Sequence, residues 1–314
     1  MITVAGTVIG DIFVRTLQNE PPRGSLTLVD QIGFHLGGAA PNTGAVLSRL
    51  GVPVSVVGRI GRDPFGHLVR GELEKWAGSV TLAVDETLQT TCCVGHIFGD
   101  GERSFLYAGG ACSAFSAADL DLIGELARGS CALHVGYAFL LPNLDGEPML
   151  ELFKQAQSLR MLVSLDVAYF AGPDWSKLLE LMPFVDVFCP NGREAEAITG
   201  EKDPEAAAAC LVKAGVRQFV AIKGGEQGAY ICPVGGAPEY LRAYIVNAID
   251  STGAGDAFVA GILAAWHRKL DWNQAGRIAN AAGALATTKQ GATEGLESWE
   301  QVLALERGKY KSKK

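Results

Sequence analysis

Near the C-terminal end, the stretch Asp250-Ser251-Thr252-Gly253-Ala254-Gly255-Asp256-Ala257-Phe258 sets small residues between two carboxylates. The apolar run at 258–266 predicts a buried helix that starts at about Asp256. Backbone N–H groups of Gly253, Ala254 and Gly255 would then lack acceptors within the helix and converge on one spot, with the positive end of the helix dipole behind them. Such a spot is an anion hole suited to phosphate. Asp256, at its rim, can take the proton of a hydroxyl about to attack a phosphoryl group. The same residues also read as an Asp N-cap after a glycine-rich turn.

Other polar residues sit where predicted strands end. Asp11 follows the predicted strand 2–9, and ligands of open α/β sheets gather at the carboxyl ends of strands. It reads as a hydroxyl acceptor or as a turn residue. Gly37-Gly38-Ala39-Ala40-Pro41-Asn42 leads into a predicted helix ending at residue 50. The glycine pair lets a substrate lie against the backbone, and Asn42 offers donors and acceptors, although an ordinary turn would look similar. Asn191-Gly192-Arg193-Glu194 follows a predicted strand at 185–189. Its Asn and Glu oxygens suit Mg²⁺, directly or through water, and equally suit an Asn N-cap with Glu at N3. Lys223-Gly224-Gly225-Glu226-Gln227-Gly228 leaves room for a nucleotide on the backbone, as would a glycine-rich hairpin. No G-x-G-x-x-G in a strand–helix context and no G-x-x-x-x-G-K-[ST] is present, which removes the main support for Rossmann and P-loop readings.

The elements that would position these residues alternate regularly in the second half. Helices at 119–128, 148–159, 175–181 and 205–214 separate strands at 131–135, 162–166, 185–189 and 218–222, with a further strand at 229–232. That order predicts an α/β fold with a mostly parallel central sheet covered by helices on both faces. In the first half, a strand at 52–58 and a loop at 58–66 lead to a helix. Stretches at 25–32, 89–98 and 103–107 are β-like, the last two joined as a hairpin by the turn 99–101. Together they predict a small β-sheet, read as a lid over the ligand or as an edge extension of the core sheet. The expected organisation is an α/β core at 1–12, 37–87 and 113–305, a β-rich lid at 13–36 and 88–112, and a basic tail at 306–314.

Composition narrows the partners. With a formal net charge of −7 and basic residues clustered only at 309–314, the 314-residue chain is not expected to bind nucleic acid. No apolar run approaches a membrane span, and no charged-then-apolar leader precedes a cleavage site. Seven scattered cysteines without C-x-x-C spacing fit reduced thiols in a cytoplasmic enzyme.

Taken together, these motifs resemble the ribokinase-like, or PfkB, family of carbohydrate and nucleoside kinases, from residue 2 to about residue 305. Gly37-Gly38 with Asn42 and the D-[ST]-T-G-A-G-D-x-F pattern at 250–258 carry the resemblance, and the other segments fall between them in the family's order. It implies a ribokinase-like fold and ATP-dependent phosphorylation of a hydroxyl, a primary one, on a small sugar. Asp256 would be the base, and Gly253, Ala254 and Gly255 the anion hole. Asp11, Gly37, Gly38, Asn42 and Tyr107 would meet the sugar; Lys223, Gly225, Gly228 and Asn280 would meet the nucleotide. Asn191 and Glu194 would organise Mg²⁺ through water, and Asp250, Thr252 and Gly291 would border a monovalent cation such as K⁺. Lys223 stands where many relatives have Thr. Lid strands that pair between subunits would make a homodimer. Two other readings stay open: a nucleoside kinase of the same family, and a non-catalytic ligand-binding regulator on this fold.

Two departures bear on the substrate. Relatives that phosphorylate keto-deoxy sugar acids resemble one another in a D-x-N-x-R pattern and in a lid cation shortly after a Tyr. Here the segments read Asp166-Val167-Ala168-Tyr169-Phe170 and Tyr107-Ala108-Gly109-Gly110. A buried carboxylate without a charged partner is costly, so a neutral substrate is expected, covered by Phe105 or Tyr107. Arg103 shares the hairpin, but its turn position beside Glu102 implies a solvated role.

Overall fold

Strands rich in Val, Leu and Ile on both faces must be covered on both sides. The computed structural model describes residues 1–17, 19, 21–98, 103–120 and 129–309. The chain enters through β1 (Ile2–Gly6), crosses to a second sheet with β2 (Ile9–Leu17) and β3 (Gln31–Gly37), and returns through α1 (Ala39–Arg49). Next come β4 (Val54–Gly61), α2 (Pro64–Leu73) and β5 (Ser79–Asp85), then the pair β6 (Cys92–Phe98) and β7 (Arg103–Ala108). Alternation follows: β8 (Ala132–Ala138), α3 (Glu147–Ser158), β9 (Leu162–Val167), a 3₁₀ stretch at Trp175–Phe184, and β10 (Val187–Phe188). After α4 (Gly192–Thr199), α5 (Pro204–Ala214) and β11 (Phe219–Lys223), the strands β12 (Ala229–Pro233) and β13 (Glu239–Leu241) close one edge. The helices α6 (Ala254–His267), α7 (Trp272–Ala286) and α8 (Trp299–Glu306) come last.

Nine described strands form the central sheet in the order β13-β12-β11-β10-β9-β8-β1-β4-β5. Neighbours from β11 to β5 are parallel, and β12 and β13 add antiparallel pairs at the edge. Alternate residues feed two cores. Ile2 and Val4 pack with α1, α6, α7 and α8, whereas Ala5, Leu133 and Val135 pack with α3, α4, α5 and the 3₁₀ stretch. Every residue of α6 from Asp256 to Ala265 is buried, as a helix apolar all round must be. Its Gly261 lets α7 come close, since a Cβ there would lie 2.7 Å from the Cα of Ala279.

The second sheet orders β3-β2-β6-β7. The expected fold class holds, with three local differences. The strand expected at 2–9 is two strands, because the chain leaves the central sheet after Gly6, and an apolar run does not encode that break. Residues 25–32 are not a strand before Gln31; Leu26 and Leu28 there are exposed and have no sheet partner, while Phe34 and Leu36 of β3 pack on the core. The loop expected at 58–66 is shorter, since β4 runs on to Gly61 by pairing with Asp85. β6 and β7 pair antiparallel as expected. Their turn at 99–101, most of the helix expected at 119–128 and residues 310–314 of the tail lie outside the described residues. No described helix is long and apolar enough to cross a membrane.

Candidate active site

In the central sheet β1 lies between β8 and β4, so connections diverge around it and a crevice opens at the carboxyl ends of the strands. Along that edge β8, β9 and β11 carry Tyr137, Asp166 and Lys223. Asn191, just after β10, forms an isolated bridge with Lys223. These residues and the first turn of α6 line a cavity of about 980 Å³.

Asp256 occupies the third position of α6 and is 2 % exposed. Its Oδ2 accepts hydrogen bonds from Asn42 Nδ2 at 2.8 Å and from the Tyr137 hydroxyl at 3.0 Å. Oδ1 is buried and has no hydrogen-bond partner among the described residues. Burial, reinforced by Asp166, pushes the carboxyl up to about 7 against the opposing pull of Asn42, Lys223 and Tyr137. A carboxylate poised there is basic enough to take a hydroxyl proton near neutrality.

The helix begins as the small residues dictate. Gly253 is its N-cap at φ 71°, and a side chain there would run into the Ala292 carbonyl. The N–H groups of Gly255 and Asp256 lie in the first turn, beyond reach of any intrahelical acceptor. That of Ala254 makes a long 3.3 Å bond to the Ser251 carbonyl. Lys223 closes this spot from the other side: its Nζ lies 3.2 Å from where a Cβ on Gly255 would be. The ammonium pairs with Asp166 Oδ1 at 3.4 Å, and the Asp166 side chain is 2 % exposed. Burial works against the Lys223 charge, but Asp166 and Glu194 outweigh it and hold the ammonium well above its ordinary pKa.

Asn191 and Glu194 form a reciprocal capping box at the start of α4. Asn191 Oδ1 accepts from the Glu194 amide at 2.9 Å, and Glu194 Oε2 accepts from the Asn191 amide at 2.7 Å. Both also line the cavity, and burial raises the Glu194 carboxyl. Gly225, Gly228 and Asn280 line it too; Asn280 donates to the Arg242 carbonyl at 2.8 Å. Asp250 joins its expected neighbours, accepting from the Thr252 amide at 2.9 Å and the Gly291 amide at 3.1 Å.

Asp11 lies not at the end of the first core strand but inside β2, in the small sheet. The pairings His35–Asp11, Asp11–Cys93 and Cys93–Tyr107 place these residues in one row across β3, β2, β6 and β7. The Asp11 carboxylate fills the space a side chain on Gly37 would need, and burial pushes it up to about 7. Gly38 caps α1, which carries Asn42 to Asp256. Tyr107 is 40 % exposed and does not line the cavity. Arg103's side chain lies outside the described ones.

A family model described as pfkB family carbohydrate kinase matches residues 1–299. The chain belongs to this family. Among curated proteins, this pfkB kinase is 28 % identical over 295 residues to 2-dehydro-3-deoxygluconokinase of Bacillus subtilis (strain 168), covering 89 % of each chain. It is 26 % identical over 307 residues to probable fructokinase-4 of Arabidopsis thaliana, covering 92 % of this chain and 93 % of that one. Among solved structures, Arabidopsis thaliana ribokinase complexed with ribose and ATP matches with a TM-score of 0.82 at 25 % identity, over 98 % of both chains. The central and small sheets of the pfkB kinase thus have counterparts along nearly the whole chain.

Sequence reasoning about this kinase missed Tyr137 and did not place Asp166 in the site. Asp166 ends an apolar strand, the same signal that drew attention to Asp11. Tyr137 had no such signal, because strand alternation aims it at the opposite face. Arg193 was also passed over; its guanidinium sits 3.9 Å from the ring centroid of Tyr169, and both line the cavity.

Proposed function

We propose that this carbohydrate kinase transfers the γ-phosphoryl group of ATP to a hydroxyl, primary rather than secondary, of a small neutral sugar. The observation that carries the reading is Asp256 itself: a buried carboxylate with one unpartnered oxygen, on the first turn of a helix that opens into a large cavity. Asp256 deprotonates the sugar hydroxyl as it attacks. The Gly253, Ala254 and Gly255 backbone receives the charge that spreads over the phosphoryl oxygens, and Lys223 faces the same spot from β11. The Lys223–Asp166 pair keeps that ammonium in place without consuming its charge entirely.

Asp11, Gly37 and Tyr107 of the small sheet, with Gly38 and Asn42 at the start of α1, form the sugar side. Lys223, Gly225, Gly228 and Asn280 form the nucleotide side. The carbonyl oxygen of Asn191 and the carboxylate of Glu194 fit Mg²⁺ held through its waters, since Asn191 Oδ1 and one of the two Glu194 oxygens already serve the capping box. Bound there, Mg²⁺ would neutralise phosphate charge. Asp250, Thr252 and Gly291 border a monovalent cation such as K⁺, on the support that their hydrogen bonds gather them behind Gly253. The apolar, exposed strand β7 is assigned to pairing with a second subunit, and the seven unpaired cysteines support a cytoplasmic setting.

Neutrality of the substrate rests on Phe170 and on Tyr107-Ala108-Gly109-Gly110, which leave the sugar side without a cation at those places. The deciding experiment is a coupled ADP-release screen over pentoses, hexoses, sugar acids and nucleosides, with and without K⁺. Turnover of a neutral sugar supports the reading. Absence of ATP turnover with every compound would leave a ligand-binding regulator instead, and preference for a nucleoside would move the acceptor class.

A further inference from the structure

Tyr137 reaches Asp256 through a backbone that a regular strand would not supply. Leu133 and Val135 face the α3 side of the sheet, while a Cβ on Gly136 would meet Ala39 on the α1 side. Continued alternation would therefore send Tyr137 back toward α3, away from α6. Instead its φ is 63°, and that of Phe139 is 70°, left-handed conformations that bulky residues seldom adopt. The register with β9 shifts between Val135 and Ala138 at the same place. Asp145 braces the turn, its Oδ1 accepting from the Phe139 amide at 2.9 Å and its Oδ2 from the Leu141 amide at 3.1 Å. Strain of this kind persists where the surroundings over-determine it, and it gathers at functional sites.

The outcome of that detour is one hydrogen bond. The Tyr137 hydroxyl and Asn42 Nδ2 both donate to Oδ2 of Asp256, and Oδ1 receives nothing from the described residues. We infer that Tyr137 is a positioning residue for phosphoryl transfer, fixing Asp256 through Oδ2 so that Oδ1 is the oxygen that meets the acceptor hydroxyl. This rests on Asp256 being the base. Tyr137 cannot share that task, because burial and the adjacent Asp256 hold its hydroxyl well above the ordinary tyrosine pKa, so it remains a donor. The charged groups around Asp256 are Asp166 on β9 and Lys223 on β11, with Glu194 beyond the lysine and Asp11 acting on Tyr137 from the small sheet. None of them donates to Oδ2, and losing the Tyr137 donor leaves Asn42 alone there.

The test uses the full chain, ligand-free, with ¹³C-labelled aspartate carboxyls and the Asp256 signal assigned from its loss in Asp256→Asn. A donor to a carboxylate favours the charged form, so Tyr137→Phe should raise the Asp256 midpoint by about one pH unit. Asp145→Asn, which leaves the tyrosine but loosens its turn, should move it in the same direction by less. In turnover of D-fructose or D-ribose, Tyr137→Phe should lower kcat more than it raises KM. A lowered melting temperature with an unmoved Asp256 midpoint in both variants means that Tyr137 only packs, and overturns the inference. Full turnover in Asp256→Asn would instead sink the base assignment, while the titration still reads the Tyr137–Asp256 contact by itself.

Discussion

Asn42 and Asp256 lie 214 residues apart in the chain and are joined by a buried 2.8 Å hydrogen bond. One comes from the glycine-led start of α1, the other from the glycine-led start of α6, so two helix N-termini meet at the proposed base. Asp256→Asn keeps the shape and an acceptor for both donors but removes the basic oxygen. The expected loss in kcat is about 10²–10⁴-fold, the usual range for a general base, with ATP affinity retained. Near-normal turnover in the folded variant would make Asp256 a helix cap and nothing more.

The pH dependence should run in opposite directions for activity and stability. With Asp256 up at about 7, kcat/KM is expected to fall roughly tenfold per pH unit below that value, because only the ionised form accepts a proton. Folding, by contrast, favours the protonated carboxyl, whose ordinary value is 3.8. The native state binds more protons than the unfolded chain between those values, so this group costs stability increasingly as pH rises from about 4 to about 7. Asp11, up at about 7, and Asp145, up at about 6, act in the same sense through burial. The melting temperature of Asp256→Asn relative to the unmodified protein should therefore be near zero difference at pH 4 and clearly positive at pH 8. A difference that stays flat across that range would contradict the burial argument.

Lys223 and Asp166 allow structure and chemistry to be separated. Lys223→Met leaves the buried Asp166 without its partner, a change that typically costs about 3–5 kcal/mol. Adding Asp166→Asn should recover most of that stability, since a neutral pair needs no counter-charge. It should not recover turnover if the ammonium over Gly255 takes up phosphoryl charge. Thermal melts and kcat of the two single variants and the double variant decide the matter; parallel recovery of both quantities would reduce Lys223 to a structural ion-pair partner.

Glu194→Gln keeps an oxygen for the Asn191 amide but removes a negative charge facing the cavity. The Mg²⁺ concentration for half-maximal activity should rise severalfold while the melting temperature changes little. A lower melting temperature with unchanged Mg²⁺ dependence would confine Glu194 to its capping box.

Local signals were legible in proportion to how little they depend on distant partners. The helix at 254–267 announces itself through an unbroken apolar run behind small residues, and its observed start lies two residues before the expected one. The N-x-x-E segment folds into the capping box that its spacing allows. The small sheet was harder, because its strands take their register from one another: β3 begins at Gln31, where pairing with β2 starts, so only the last two residues of the expected 25–32 stretch are strand. Tyr137 was illegible for a different reason. A left-handed residue at a strand end has no periodic signature unless it is glycine, and here it is an aromatic in a turn whose Phe139 and Leu141 amides are held by Asp145.

The substrate prediction turns on where cations are. Phe170 and the Ala108-Gly109-Gly110 segment offer none to a sugar carboxylate, and Tyr107 and Phe105 present rings on β7. Among the described residues, the positive charges that do line the cavity are Lys223, paired with Asp166, and Arg193, stacked on Tyr169 beside Glu194. Both lie on the phosphate side of Asp256 in the proposed arrangement, where ATP would engage them. A desolvated carboxylate on the sugar side would thus lack a partner, at an effective penalty of several kcal/mol, or roughly a thousandfold in kcat/KM. Neutral pentoses or hexoses are expected to outrank 2-keto-3-deoxygluconate by that margin, even though 2-dehydro-3-deoxygluconokinase of Bacillus subtilis is 28 % identical to this chain. The measurement is kcat/KM for each compound under saturating ATP and Mg²⁺. If the keto-deoxy acid is the better substrate, Arg193→Met separates the remaining explanations: selective loss of the acid substrate would mean that Arg193 leaves Tyr169 to clamp the carboxylate, and an unchanged preference would point to Arg103.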